Sequence, residues 1–139
     1  MKNTKTFLFA AEAIGFILSS SAQAYLNVID LGTLGSSSSE ALSINDRGQI
    51  VGGATNSSSY VRACLFDPTG AGNNIDLNTL LPPGSGWTLE TANSINNNGW
   101  IVGQGINPAG YEHAYLLIPE PATILLLGLG VLILRKCKT

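Results

Sequence analysis

Two long apolar runs bracket this chain, and between them apolar residues recur only in short, alternating groups. Phe7 to Leu18 and Ala122 to Leu134 are the runs, each long enough for several helical turns. Between them, Ala41 to Asn45 alternates small or apolar with polar residues, and Gln49 to Gly53 is β-branched at its centre. The intervening Asn45-Asp46-Arg47-Gly48 supplies Asn and Gly where a tight turn needs positive φ, so the segment predicts a hairpin. A polar Asn56-Ser57-Ser58-Ser59 loop then leads to a strand over Val61 to Phe66, ending at Asp67-Pro68-Thr69-Gly70.

The pattern then repeats. Ala41 to Phe66 aligns without a gap on Ala92 to Leu117 at a constant offset of 51, pairing Ser43-Ile44-Asn45 with Ser94-Ile95-Asn96 and Ile50-Val51-Gly52 with Ile101-Val102-Gly103. The second copy turns at Asn96-Asn97-Asn98-Gly99 and leaves through a strand over Glu112 to Ile118. Upstream, Ile29-Asp30-Leu31-Gly32-Thr33-Leu34 is echoed by Ile75-Asp76-Leu77-Asn78-Thr79-Leu80, so each unit opens on the same element. An ungapped match of this length points to duplication. Each unit amounts to three or four antiparallel strands, much like a propeller blade. The fold expected is therefore all-β: two propeller-blade-like repeats, flanked by an N-terminal signal helix and a C-terminal hydrophobic helix. Two blades cannot close a ring, and open sheets leave unpaired backbone groups at their edges. A compact sandwich or small barrel of both units is favoured, with edge-to-edge self-association and a truncated relative of longer repeat proteins as the alternatives.

The terminal runs read as address labels. Lys2 and Lys5 precede the first, and Ala22-Gln23-Ala24 follows it with the small residues of a signal-peptide cleavage site, so the mature chain is expected to begin at Tyr25. Glu12 inside the run weakens it without abolishing it. At about 1.5 Å per helical residue, Ala122 to Leu134 reaches only about 20 Å, short of the roughly 30 Å hydrocarbon core. Pro119-Glu120-Pro121 precedes this run and Arg135, Lys136 and Lys138 follow it, a basic stop suited to the cytoplasmic side. The prolines halt any helix at the membrane boundary.

Those three parts, in that order, resemble the PEP-CTERM sorting signal of Gram-negative bacteria. The resemblance implies export by the secretion machinery, recognition by an exosortase, cleavage near Pro119-Glu120-Pro121, and delivery to the cell surface or extracellular matrix. A simple C-terminal membrane anchor is the alternative. The four segments expected are a signal peptide over 1–24, repeats over 25–71 and 72–118, and the sorting signal over 119–139.

The repeats are similar to the extracellular HAF family, named for a His-Ala-Phe triplet. Asp30 to Gly35, Ser43 to Gly52 with Ser94 to Gly103, and His113-Ala114-Tyr115 carry that likeness. It departs at Arg62-Ala63-Cys64, where the first unit lacks the triplet's outer residues, and at Tyr115. The family implies location and fold more than activity.

Composition narrows the function. Between Tyr25 and Pro121 the only basic side chains are Arg47 and Arg62, against Asp30, Glu40, Asp46, Asp67, Asp76, Glu90, Glu112 and Glu120. An acidic exported domain argues against a nucleic-acid partner, since phosphate binding needs clustered Lys and Arg. That region holds Cys64 alone, so no disulfide can form within it, and a packed thiol is expected there. His113 is the single histidine, which rules out sites built from several imidazoles, and its ordinary role is a strand residue. The aspartates never reach the spacing of a calcium loop and suit turn capping, so no metal and no cofactor are expected. Trp87, Trp100, Tyr60 and Tyr111 fall at loops, where exposed rings can stack on sugars of a matrix polysaccharide or simply cover the ends of a small core. The expected role is thus non-enzymatic: a structural surface or matrix component, or alternatively a polysaccharide-binding module.

Overall fold

Asparagine turns space the strands. In the computed structural model, which describes residues 23–120, the chain reverses at Asn45–Gln49, Asn56–Tyr60, Asn96–Trp100 and Asn107–Tyr111 by one repeated device. The Asn backbone N–H donates to the carbonyl four residues on, and the Asn carbonyl accepts from the N–H three residues on. The side-chain Oδ1 of the same Asn accepts from the N–H groups two and four residues on. The fourth residue of each turn has positive φ, and is Gly48, Ser59, Gly99 or Gly110. Only glycine enters that region without steric cost, so three of the four are glycine and the fourth is a small serine.

These turns join β1 (Gly35–Ile44), β2 (Ile50–Asn56) and β3 (Val61–Phe66), and again β5 (Thr88–Ile95), β6 (Ile101–Ile106) and β7 (Glu112–Leu117). A short β4 (Ile75–Asp76) and a 3-10 turn (Leu77–Leu80) lie between the two sets. All pairings are antiparallel, giving one sheet ordered β1-β2-β3-β4 and another ordered β5-β6-β7. The pairing is duplicated along with the sequence: Ile50↔Phe66 and Gly52↔Cys64 recur as Ile101↔Leu117 and Gly103↔Tyr115. Both first strands carry the same irregularity, after Ala41 and after Ala92. That irregularity explains the glycine of each Ile-Val-Gly triplet. A Cβ on Gly52 would collide with the carbonyl oxygen of Glu40, and one on Gly103 with that of Thr91.

Several sequence expectations change. Neither sheet closes into a barrel, and no propeller ring forms among the described residues; the two sheets pack face against face instead. β1 begins at Gly35 rather than Ala41, because Thr55 Oγ1 bonds both the N–H and the carbonyl of Ser38 and holds the serine stretch on β2. The Ile75-Asp76 element that opens the second unit in sequence pairs with β3 of the first sheet, Cys64↔Asp76 and Leu65↔Ile75. The expected signal helix and C-terminal hydrophobic helix fall outside the described residues. Among those described, no helix is long and apolar enough to cross a membrane.

Alternation along the strands sorts the core. Val51, Ala63 and Leu65 share the face of the first sheet that meets Leu89, Ala92, Ile95, Ile101 and Tyr115 of the second, with Leu77 in the same cluster. The opposite face of the first sheet buries Ala54, Cys64 and Phe66 beneath Leu31 and Leu34. Each fully buried Leu or Val contributes about 1.5–3 kcal/mol. Polar chain ends are tied down as well: Asn74 Nδ2 donates to the carbonyls of Leu31 and Thr33, and Asn78 bonds both the N–H and the carbonyl of Leu89. The Tyr115 hydroxyl donates to the Thr91 carbonyl at 2.6 Å. Burial, reinforced by the neighbouring Asp76 carboxylate, pushes the Cys64 thiol up to about 12, and burial also raises the Tyr115 phenol.

Gly52→Ala is expected to destabilise the fold by about 2 kcal/mol or more, because backbone rather than a flexible side chain occupies the space; urea unfolding midpoints measure it, and a neutral result contradicts the close approach. Above pH 9 the unfolded chain releases the Cys64 proton while the folded chain keeps it to about pH 12, so stability falls as pH rises through that window. Cys64→Ala should flatten the decline in unfolding midpoint between pH 9 and 11, leaving the part due to Tyr115.

Candidate functional site

The sorting triplet begins almost where the fold ends. β7 finishes at Leu117, and Ile118, Pro119 and Glu120 continue as exposed, irregular chain. Proline has no N–H to extend the ladder, so the strand stops before Pro119 and leaves the following peptide bond accessible. Pro119 and Glu120 line one end of an apolar groove of about 730 Å³, whose other walls include Leu80, Leu81, Pro82 and Leu117. Ala24, expected from the sequence to precede a signal-peptide cleavage point, is exposed just ahead of Tyr25. Ala22, Pro121, Arg135, Lys136 and Lys138 lie outside the described residues.

The four aromatic candidates do not form one surface. Tyr60 and Tyr111 occupy the last position of the Asn56 and Asn107 turns and are well exposed. Trp87 sits at the same end, preceding β5 where Thr88 pairs with Ile106, but its ring is partly buried against the core. Trp100 closes the Asn96 turn at the opposite end of β6, so the length of that strand, about 20 Å, separates it from Tyr111. Arg62 lies over the Tyr60 ring at 5.1 Å, a cation–π contact that occupies one face of the ring.

The chemically reactive side chains lie apart among the described residues. His113 Nδ1 lies 3.2 Å from Asn107 Nδ2, at the exposed edge of β7. Cys64 is fully buried, and its raised pKa keeps the thiol protonated at neutral pH. Three aspartates serve turns: Asp30 accepts from the N–H of Gly32, Asp76 from Asn78, and Asp67 from the N–H and hydroxyl of Thr69. Those bonds from Thr69 hold the Asp67 carboxyl below its usual range. Among the described residues, no group of three His, Cys, Asp or Glu side chains gathers to hold a metal ion.

A polar ladder between turns is the feature that residue types alone do not flag. Asn45 Nδ2 donates to the Asn96 carbonyl at 3.0 Å, the Asp46 N–H to Asn97 Oδ1 at 2.9 Å, and Asn97 Nδ2 to Asp46 Oδ2 at 2.7 Å. Arg47 adds a bond from its guanidinium to the Asn97 carbonyl. The offset of 51 in the sequence was the available signal, since equivalent turns that stack in register bond to each other.

With this geometry in view, comparison with known families identifies a PEP-CTERM protein-sorting motif at residues 117–136, spanning the end of β7, the Pro119-Glu120-Pro121 triplet and the apolar run with its first basic residues. No curated protein and no solved structure matches the chain. The motif indicates an exported surface protein that is processed by an exosortase.

Proposed function

We propose that this protein is a non-catalytic structural component of the cell surface or extracellular matrix, released from a membrane-held precursor by cleavage at Pro119-Glu120-Pro121. The observation that carries the reading is the sorting motif at residues 117–136, whose Pro119 and Glu120 follow the last strand closely and are exposed. The engagement of Asp30, Asp67 and Asp76 in turns and of Cys64 in the core favours a structural over an enzymatic role. The two units, alike in sequence and in strand register, are read as HAF-type repeats, an extracellular module that suits this destination. Polysaccharide binding is a second reading, favoured by the exposed Tyr60 and Tyr111 at one shared end of the sheets.

Intact mass of the protein recovered from native cells and medium tests the sorting reading. A species beginning at Tyr25 and ending within Pro119 to Pro121 is expected in the surface or medium fraction, and Glu120→Ala should shift the population toward the uncleaved form. A membrane-bound species that keeps Ala122 to Thr139 in both chains would make the tail an anchor and remove the exosortase step.

A further inference from the structure

The contact between the two sheets has two sides; the chain carries an uncovered copy of the first on β6 and β7, and of the second along β1, where Leu31 and Leu34, which cover Cys64 and Phe66 on that face, leave Ala41 and Ile44 open. On the first sheet, Val51, Ala63 and Leu65 form the side pressed against β5–β7, and Val51 is 0% exposed. Their equivalents at the offset of 51 are Val102, Ala114 and Leu116, on the outward face of the second sheet, where Val102 is 45% and Leu116 51% exposed. On the second sheet, Ala92 and Ile95 form the opposing side, with Ile95 7% exposed. Their equivalents Ala41 and Ile44 face outward from the first sheet, and Ile44 is 63% exposed.

The edges follow the same rule. β3 is completed by Ile75–Asp76, the opening element of the following unit. Among the described residues β7 has no such neighbour. The matching element Ile29-Asp30 pairs with no strand among the described residues; it lies against Gly70 beside the first sheet, after Tyr25, Leu26 and Val28, which are almost wholly exposed. The turn ladder also has a direction: Asn45, Asp46 and Arg47 reach forward to Asn96 and Asn97, and Ser43 Oγ receives the Ile95 N–H at 3.3 Å. Ser94, Asn96 and Asn97 hold the equivalent positions in the second unit, and among the described residues they have no further unit to reach.

We propose that a second copy of this chain docks head to tail on the outward face of β5–β7, repeating between molecules the packing that joins the two sheets within one. The incoming β1–β4 sheet sets Ala41 and Ile44 over Val102, Ala114 and Leu116, its Asn45–Gly48 turn stacks on Asn96–Gly99, and its Ile29–Asp30 pairs with the open edge of β7. The internal interface supplies both the occupant and the register, because the surface left open is the one the second sheet already covers on the first. Unlike surfaces meet, so the contact regenerates itself at each addition and builds strings, or rings where the rotation per step closes, rather than two-fold dimers. Unpaired edges and uncovered apolar faces supply the driving force. This goes beyond the sorting reading and stands whether the tail is cleaved or kept as an anchor.

Cysteine pairing tests it on the full chain in mild detergent, with Cys137→Ser as background. The internal contact between Ser43 and Ile95 places Ser94 of one copy against Ile44 of the next. Within one chain the Ile44 and Ser94 side chains point to opposite outward faces of the two sheets, so their Cβ vectors diverge and disfavour an internal disulfide. Mixing an Ile44→Cys chain with a Ser94→Cys chain should give the mixed disulfide in severalfold excess over either homodimer, and the double variant should give a ladder of products. Both sites are exposed, and unchanged circular dichroism confirms folding. Only monomers, or Ser94→Cys homodimers as abundant as the mixed product, would overturn the proposal. As a second readout free of disulfides, sedimentation of the Cys137→Ser chain should show mass rising with concentration, and Leu116→Glu should abolish the rise; an equal profile for both chains sinks the head-to-tail contact.

Discussion

The structure depends on one hydrogen-bonding arrangement: an asparagine side-chain oxygen that accepts two backbone N–H groups from the turn it initiates. A backbone reversal leaves donors without a ladder partner, and buried or half-buried donors are costly to leave unmade. Asn45, Asn56, Asn96 and Asn107 each answer two of those donors and fix the end of one strand against the start of the next. Register follows from the turns, and register decides which residues meet the core. A slip of one residue along β2 would send Val51 outward and Ile50 in.

Much of this was legible along the chain. The hairpins at Asn45 and Asn96 and the outgoing strands could be read because turn chemistry is local, and the duplication because an ungapped repeat carries its own alignment. What escaped is non-local. The pairing of Ile75–Asp76 with β3 depends on which edge is free after the first three strands fold, and no single residue states that. The length of β1 depends on Thr55, on a neighbouring strand. The blade-like appearance of each unit was correct as a count of strands, yet arrangement in space is set by the faces: Val51 and Ala63 need a cover, and Leu89, Ala92 and Ile95 provide it. The aromatic candidates scattered for a related reason. Trp100 and Tyr111 terminate turns at opposite ends of one strand, and a linear reading weighs residue type without knowing which end each loop occupies.

The absence of lysine between the two terminal segments sits well with this construction. Arg47 and Arg62 are both engaged, one bonding the Asn97 carbonyl and one resting on Tyr60. The carboxylates are spread over turns and strand edges, so the surface is acidic without a concentrated field. Such a surface keeps its character across moderate salt and resists casual contact with polyanions.

The short exit from β7 to the sorting triplet has a mechanical side. Only Ile118 and Pro119 separate Leu117 from Glu120, so the joint spans about 10 Å when extended and one of its two residues is conformationally stiff. A joint of that length has no slack. Whatever grips the tail also grips the last sheet, and a pull or rotation applied at the triplet is delivered to β7 instead of being lost in a linker. The final strand thus behaves as a short lever, orienting the whole domain for as long as both ends stay attached.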